Sequence, residues 1–217
     1  LSVDAAEAEL LVGEALRGRF RLRFVTLEGV RLDLGAPRPA SEGPSATDLP
    51  FLSAAEIERF RIEGATVLSG PLPETLRAVA LSASASDVRF DGDLRGGKLR
   101  LRGETPRIVV ERAGGLRLGA KGDVTLTASA DGELVLEALH VDGDGLSLSA
   151  FGSGGLSPEA PLGLSAEATF DPARLAPELQ ATGSLRIVAK VGGRRAAPTV
   201  EATLEGRDLA TKDLAVA

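Results

Sequence analysis

The stretch Asp123-Val124-Thr125-Leu126-Thr127-Ala128 alternates polar and apolar side chains one by one. Successive side chains of a β-strand point to opposite faces of its sheet, so this spacing predicts a strand with one apolar and one polar face. The same alternation occurs in Arg19–Phe24 and in Ser184–Ile187. Because it restarts after nearly every glycine from Leu1 to Val216, the sequence predicts a chain that is mostly sheet.

Glycine-containing turns separate the predicted strands in the middle of the chain. They are Asp91-Gly92, Gly96-Gly97, Gly114-Gly115, Asp131-Gly132 and Asp142-Gly143-Asp144-Gly145. These residues tolerate the positive φ of two-residue hairpins, and tight hairpins make neighbouring strands antiparallel. No connection between Leu76 and Leu148 has room for a crossover helix. The prediction is an all-β fold, an elongated antiparallel meander of short strands.

The opening of the chain predicts a first strand, a short helix and two further strands. Glu14–Arg17 is predicted to form one helical turn that Gly18 ends. A long strand follows from Phe20 to Leu27, and its change of phase at Phe24-Val25 indicates a bulge. We expect Gly29 to turn the chain into the next strand.

Changes in composition divide the chain into four parts. Residues 1–35 form the opening, and residues 36–52 form a flexible loop because Ala36–Pro50 holds four of the 12 prolines. Residues 53–151 form the meander, and any helix at its start, at Ser53–Glu56, is predicted to be a single turn. The glycines of Gly152–Gly155 separate the meander from the last part, residues 152–217. In that part Asp171-Pro172 predicts a short helix that ends near Leu179.

Composition excludes several classes of function. The formal charge is −6 and the pI about 5.0, the wrong sign for binding a nucleic acid backbone. The chain has no Cys, Met, Trp or Tyr and only 7 Phe, so its apolar surface consists mainly of Leu, Val and Ala. Small aliphatic side chains favour a thin, extended apolar surface over a compact sandwich with bulky aromatic packing.

No group of residues has the pattern of a catalytic or metal site. Asp142–Gly145 lacks the later oxygen ligands of an EF-hand and is predicted to be a hairpin turn. His140, the only histidine, has no second ligand or nucleophile beside it. Gly152–Gly155 lacks the lysine of a phosphate-binding loop. Arg194-Arg195 is predicted to be a charged hairpin tip. We therefore expect no enzymatic activity and no cofactor.

Two segments of the chain resemble the AsmA/TamB-like bacterial proteins, which are bridge-like repeating β-groove proteins. The opening resembles the family at Val3–Leu10, Leu16–Leu22 and Val25–Leu32. The end is more similar to TamB, the translocation and assembly module, at Gly183–Ile187, Val191–Gly193, Ala197–Gly206 and Asp208-Leu209. Together the segments cover about a third of the chain.

The resemblance implies a sheet curled into an open groove, with an apolar concave face that carries phospholipid acyl chains between the inner and outer membranes. It implies a periplasmic location in the bacterial cell envelope, an inner-membrane anchor outside this segment and an outer-membrane barrel protein as a partner. The residues expected to line the groove alternate with polar neighbours. They are Phe20, Leu22, Phe24, Phe90, Leu101, Leu126, Leu136, Leu148, Phe170, Leu185, Ile187 and Leu204.

A second hypothesis stays open on sequence grounds. An open meander has two edges that can accept a further strand, so the chain could be a scaffold or chaperone-like module that pairs with strands of outer-membrane proteins. About fourteen strands of five to seven residues would make a sheet about 65 Å long and about 20 Å wide.

Overall fold

The computed structural model describes residues 2–17, 20–33, 53, 55–68, 81–112, 117–175, 180–211 and 214–216. Strands hold 79% of these residues, and the two helices are single turns, α1 (Val12–Ala15) and α2 (Pro172–Leu175). The predicted all-β fold class is confirmed.

Thirteen strands form one sheet. They are β1 (Ala5–Leu10), β2 (Phe20–Glu28), β3 (Arg31–Asp33), β4 (Ala55–Leu68), β5 (Leu81–Arg95), β6 (Lys98–Arg112), β7 (Arg117–Ser129), β8 (Glu133–Gly143), β9 (Leu146–Gly155), β10 (Gly163–Phe170), β11 (Thr182–Arg194), β12 (Ala197–Thr211) and β13 (Leu214–Val216). Apart from β3, each strand lies beside the next in sequence, from β1 to β13. The first and last strands do not pair with each other, so the sheet is open.

The pairing is antiparallel except at β4, which lies parallel to both β2 and β3. These two strands follow one another along the same edge of β4, so the predicted turn at Gly29 is wrong. Gly29 instead interrupts one extended path: its φ is 62° and its N–H donates to the Glu63 carbonyl at 3.1 Å. The parallel pairing of β4 with β2 and β3 departs from the predicted antiparallel meander.

Three neighbouring strands bulge at the same level of the sheet. Gly29, Gly64 and Asp87 all have left-handed φ angles, and the residue after each one is buried: Val30, Ala65 and Val88. These three side chains form a small cluster, against which Leu27, Ile62, Ala85 and Phe90 pack. Because bulges bend a strand and increase its twist, the aligned bulges bend the sheet along one line.

The strands are longer and fewer than the sequence predicts. Asp91-Gly92, predicted to be a hairpin, lies inside β5, which joins two predicted strands into one of 15 residues. Strand β6 also replaces two predicted strands, and a register shift between Thr105 and Ile108 lies where a break between them is predicted. Twelve strands along the path and lengths of up to 15 residues give a sheet about 53 Å by about 50 Å. The predicted narrow ribbon is therefore wrong in its width.

Several turns lie where the sequence places them. Gly96-Gly97, Asp131-Gly132 and Asp144-Gly145 join successive strands, and the predicted bulge in β2 is confirmed by a register shift opposite Glu9 and Leu10. Gly114-Gly115 and the loop at residues 36–52 lie outside the described residues. Gly152–Gly155 lies within β9, so the sheet continues across the division predicted at residue 152.

Both predicted helices exist but differ in extent. The first is α1, which begins two residues before Glu14 and ends at Ala15. The second begins at Pro172 as predicted, where Asp171 accepts a hydrogen bond from the Ala173 N–H at 2.9 Å. Residues 176–179 lie outside the described part of the chain. At Ser53–Glu56, Ser53 is helical, but the predicted helical turn does not include Ala55 or Glu56, because β4 begins at Ala55.

No second layer covers the sheet within the described residues. The substantial contacts between elements are those between paired strands, together with α1 on β2 and α2 on β11. Only seven apolar residues among those described are buried, and Leu94 is the most enclosed at 1% exposed. It packs with Ala128 in a second small cluster. The described structure is therefore a single sheet with two small clusters in place of a two-sided core.

A pair of glycines tests the close approach of β9 to β10. Gly152 has φ 151°, and a Cβ there would lie 2.6 Å from the Leu164 Cα. Gly163 on β10 has nothing within 4 Å of such a Cβ. We predict that Gly152→Ala lowers the free energy of unfolding by about 1–3 kcal/mol, and that Gly163→Ala changes it by less than about 0.5 kcal/mol. Urea unfolding of both variants checks this; equal effects would contradict the register described here.

Candidate functional site: an uncovered apolar face

The register places the apolar residues of successive strands side by side on one face. Starting at Leu27, each partner across the next strand is again apolar or glycine: Ile62, Phe90, Gly103 and Val124. Directly paired residues of neighbouring strands point to the same face. The row therefore belongs to one face, which we call the apolar face.

Three long rows cross most of the sheet on this face. The first runs Ala6, Leu27, Ile62, Phe90, Gly103, Val124, Leu139, Ala150, Ala166, Ala189, Ala202. The second runs Ala8, Val25, Phe60, Gly92, Leu101, Leu126, Leu136, Gly152, Leu164, Val191, Val200. The third runs Leu32, Val67, Ala85, Ile108, Ala120, Gly143, Leu146, Phe170, Leu185, Gly206.

Two shorter rows complete the apolar face. One runs Leu10, Leu22, Ile57, Leu94, Leu99, Ala128, Leu134, Gly154. The other runs Gly122, Val141, Leu148, Ala168, Ile187, Leu204. No charged residue stands in any of the five rows, so the apolar surface is continuous across the strands.

Most residues of the apolar face are half-buried by their neighbours on the sheet. Exposure is greatest near the two ends: Phe20 is 63% exposed, Val200 67% and Leu204 66%. A contiguous exposed apolar surface of this extent is rare on soluble monomers and is typical of a binding surface. The face is thus the candidate functional site.

Small side chains form a shallow lane along part of the apolar face. Ala150, Ala166, Ala189 and Ala202 lie side by side on β9 to β12, and we call them the alanine lane. A bulkier row with Leu148, Ile187 and Leu204 lies on one side, and Leu164, Val191 and Val200 lie on the other. Rows two residues apart are separated by about 6.8 Å, so the two bulky borders of the lane are about 14 Å apart. It runs across the strands, along the length of the sheet.

The structure places eleven of the twelve predicted groove residues on the apolar face. The rows contain Leu22, Phe90, Leu101, Leu126, Leu136, Leu148, Phe170, Leu185, Ile187 and Leu204, and Phe20 is paired with Ala55 beside them.

Phe24 does not belong to the apolar face. It is paired with Glu9, whose neighbours Ala8 and Leu10 are the residues of β1 that face the apolar side. The bulge in β2 adds one residue between Leu22 and Val25, which moves Phe24 to the polar face. The bulge is predicted from the sequence, but the prediction that Phe24 lines the groove is wrong.

Several residues of the five rows are not among the predicted groove residues. Leu94, Leu164 and Val191 alternate with polar residues or glycine, so the same period of two could have found them, whereas a bulge interrupts the period between Leu136 and Leu139. Phe60 lies on the apolar face opposite Gly92, whereas Phe151 is 61% exposed on the polar face opposite Ser165. Whether an aromatic residue belongs to the apolar face depends on the register of its strand.

The opposite face is charged and carries ion pairs between strands. Arg186 donates to Glu167 at 2.7 and 2.9 Å and to Glu205 at 3.3 Å, joining three strands. Arg61 donates to Asp91 at 2.9 Å, and the hydrogen bond to that carboxylate raises the pKa of Arg61. These side chains are solvated, so the pairs contribute to register more than to stability.

A depression of about 640 Å³ on the polar face is lined by several titratable groups. Arg89, Arg102 and Lys121 line it together with Glu104, Asp123, His140 and Asp142. His140 is exposed there and is paired with Asp123 and Ser149. Within the described residues no group of three or more His, Cys, Asp or Glu side chains is arranged to hold a metal ion.

The two arginines of the β11–β12 hairpin have local partners. Arg194 donates to Glu159 at 2.6 Å, and the Arg195 guanidinium donates to the Leu156 carbonyl. The predicted hairpin tip is confirmed, since the turn lies at Arg195-Ala196.

Comparison with known proteins finds no matching family model, no similar curated protein and no similar solved structure. The AsmA/TamB-like resemblance therefore stays a prediction. No helix among the described residues is long and apolar enough to cross a membrane.

The Arg186 pair provides a test by pH. The hydrogen bond from Arg186 lowers the pKa of Glu167 below its ordinary value of 4.5. A lowered folded-state pKa stabilises the fold above the unfolded-state pKa, and this contribution is lost as the pH falls through the folded-state value. We predict that Arg186→Gln raises the pKa of Glu167 towards its ordinary value, measured by carboxyl carbon NMR titration. An unchanged Glu167 titration would show that the pair does not form in solution.

Proposed function

We propose that the chain is a segment of a lipid conduit, in which the apolar face holds acyl chains and lets them move along the sheet. The observation that carries the proposal is the continuity of the five apolar rows across the strands, with no covering layer in the described structure. The function requires no chemistry, only burial of hydrocarbon on a surface that is the same from strand to strand.

Burial of hydrocarbon supplies the binding energy. Each methylene that leaves water for the apolar face contributes about 0.8 kcal/mol. An acyl chain lying along the alanine lane would have the bulky borders of the lane on either side, while the headgroup of the lipid stays in water. Because successive strands repeat every ~4.8 Å along the sheet, the chain meets a similar surface at each step and has no deep minimum to escape. Binding of this kind is compatible with movement.

The absence of a charge in the rows matters as much as their apolarity. A carboxylate or ammonium group on the path would have to lose hydration against hydrocarbon, which costs several kcal/mol. Charged residues lie on the polar face instead, where Arg61, Arg102 and Arg186 are accessible to water. The two faces thus separate the hydrocarbon path from the solvated surface.

The proposed location follows from the proposed function and the family resemblance. A lipid conduit is useful where water separates two membranes, and the AsmA/TamB-like resemblance places such a segment in the bacterial periplasm, with phospholipids as cargo. The open single sheet, with its curvature supported by the aligned bulges, is the kind of architecture that this resemblance implies.

A charge on the path tests the proposal. We predict that Leu126→Asp and Leu148→Asp each reduce lipid retention by the purified chain and lipid transfer between vesicles by at least about tenfold, because acyl chains cannot solvate the carboxylate. The loss of unfolding free energy is expected to stay below about 3 kcal/mol, because half-buried side chains at these sites leave the carboxylate partly hydrated. Native mass spectrometry measures retention, a fluorescent lipid measures transfer, and thermal melts measure folding.

Thr125→Asp is the matched control. Thr125 precedes Leu126 in the chain but lies on the polar face, where it is paired with Arg102. The new carboxylate therefore meets water and a cation. This variant should retain and transfer lipid like the wild type. The conduit is refuted if the folded Leu126→Asp and Leu148→Asp variants transfer lipid normally; unfolding of both would instead indicate a closed core.

A further inference from the structure

A notch lies at one rim of the sheet, over the turn that joins β5 to β6. This turn is Gly96-Gly97, and the start of β4 and the turn from β7 to β8 line the notch on either side of it. The space has a volume of about 400 Å³. A Cβ built at Gly96 would have nothing within 4 Å, and one at Gly97 would meet the Ala130 Cβ at 3.6 Å. In the described structure the notch is therefore open above the two glycines.

The notch adjoins the apolar face. Ala55 at the start of β4 and Ala130 just after β7 line it, and both also pack against the buried cluster of Leu94 and Ala128. Leu99, which follows the turn on β6, packs against the same cluster. The apolar row that contains Leu94 and Leu99 thus lies next to this rim, and the hydrocarbon path of the proposed function reaches the notch.

Backbone donors of the glycine turn are available to a ligand. Gly96 and Gly97 have φ angles of 55° and 74°, and Arg95 is directly paired with Lys98. The residues that flank such a two-residue turn close the hairpin, so the two glycine N–H groups lie outside its ladder. Neither N–H donates to a partner among the described residues. Successive N–H groups of a turn can hold an anion.

Lys98 adds a cation beside these donors. Its side chain is exposed and lines the notch, and it forms no ion pair within the described part of the chain. An anion above the turn would therefore meet two backbone N–H groups and an ammonium group. A phosphate group has enough acceptor oxygens to use all three.

Asp131 supplies the opposite charge on the wall formed by the β7–β8 turn. The hydroxyl of Ser129 donates to its carboxylate, and this hydrogen bond, the backbone N–H of Glu133 and the charge of Lys98 lower the pKa of Asp131. The carboxylate is therefore ionised at neutral pH, and it forms no ion pair with a described residue. Glu56 on the opposite wall differs, because Arg21 lies 3.7 Å from its carboxylate.

An anion site and an ionised carboxylate in one notch fit a ligand that carries both charges. The headgroup of phosphatidylethanolamine has a phosphate and an ammonium group joined by two carbons, and the ammonium group can donate hydrogen bonds to a carboxylate. Phosphatidylglycerol has the same phosphate without the cation, so it would leave Asp131 unpaired. The chemistry of the notch therefore favours an amine-bearing phospholipid.

We propose that the notch binds the headgroup of an amine-bearing phospholipid whose acyl chains lie on the apolar face. The phosphate accepts from the N–H groups of Gly96 and Gly97 and pairs with Lys98, while the ammonium group pairs with Asp131. This inference rests on the proposed function, since it assigns a headgroup preference to the same lipid path.

Competition between two lipids with identical acyl chains tests the preference. Native mass spectrometry of the 217-residue chain with equal amounts of phosphatidylethanolamine and phosphatidylglycerol should show at least about threefold more of the former bound. Asp131→Asn should abolish this preference, and Lys98→Gln should weaken binding of both lipids by about threefold.

Arg95→Gln is the matched control. Arg95 lies opposite Lys98 across the same hairpin, but its side chain is 69% exposed, pairs with Asp93 at 3.4 Å and does not line the notch. Loss of this cation should leave the binding of both lipids unchanged. Far-UV circular dichroism checks that all three variants remain folded.

Amide NMR locates the headgroup on the protein. Dihexanoyl phosphatidylethanolamine should shift the amide resonances of Gly96 and Gly97 and leave that of Gly145, in the β8–β9 turn, unchanged. Glycerophosphoethanolamine carries the same charged groups without acyl chains. It should produce these shifts only at a concentration at least about tenfold higher, because it buries no hydrocarbon.

The outcomes separate the headgroup site from the conduit. Equal retention of the two lipids, a preference that survives Asp131→Asn, or an equal effect of Lys98→Gln and Arg95→Gln would overturn the site and leave the conduit standing. Retention of neither lipid would contradict both proposals. Equal affinity for the lipid and for glycerophosphoethanolamine would indicate a site for soluble phosphate esters and overturn the assignment to lipid.

Discussion

The ladder of hydrogen bonds between neighbouring strands is the constraint on which the rest of this structure depends. A domain with two packed layers would hold its sheet in place by burying one face. Here the described residues form one layer, and most of the few buried apolar residues belong to the small clusters around Val88 and Leu94. Strand pairing and the contacts between adjacent side chains must therefore supply most of the cohesion. Because no second layer covers the sheet within the described residues, one apolar face is available to a ligand.

Bulges bend the strands while the hydrogen-bonded pairing on either side of them continues. A flat sheet of this length would expose its apolar face evenly, whereas the line of bulges at Gly29, Gly64 and Asp87 bends three strands together. The side chain after each bulge is buried in one small cluster. Each bulge adds one residue to its strand, and the alternation of side chains resumes after it. The five rows therefore stay continuous on one face. Curvature and continuity therefore have a common origin.

Much of the fold and most of the candidate site could be predicted from the period of two alone. Leu126, Leu148 and Ile187 are on the apolar face because alternation and burial agree along each strand. Two of the failures have a related cause, since the glycine-containing residues that form a hairpin also fit within a continuing or bulged strand. Asp91-Gly92 was expected to turn the chain but lies within β5, and Gly29 bulges where a turn was predicted. Local sequence does not distinguish these outcomes, because the choice depends on the strand alongside.

The single measurement closest to the central claim is the accessibility of the apolar face. The chain has no cysteine, so a single Leu148→Cys variant reports one position on that face. We predict that this thiol, in delipidated protein, reacts with a water-soluble reagent within about tenfold of a free peptide thiol, and that added phospholipid slows the reaction. Leu94→Cys in the buried cluster should react only on unfolding. Equal protection of both thiols without lipid would contradict an open face and indicate a closed core.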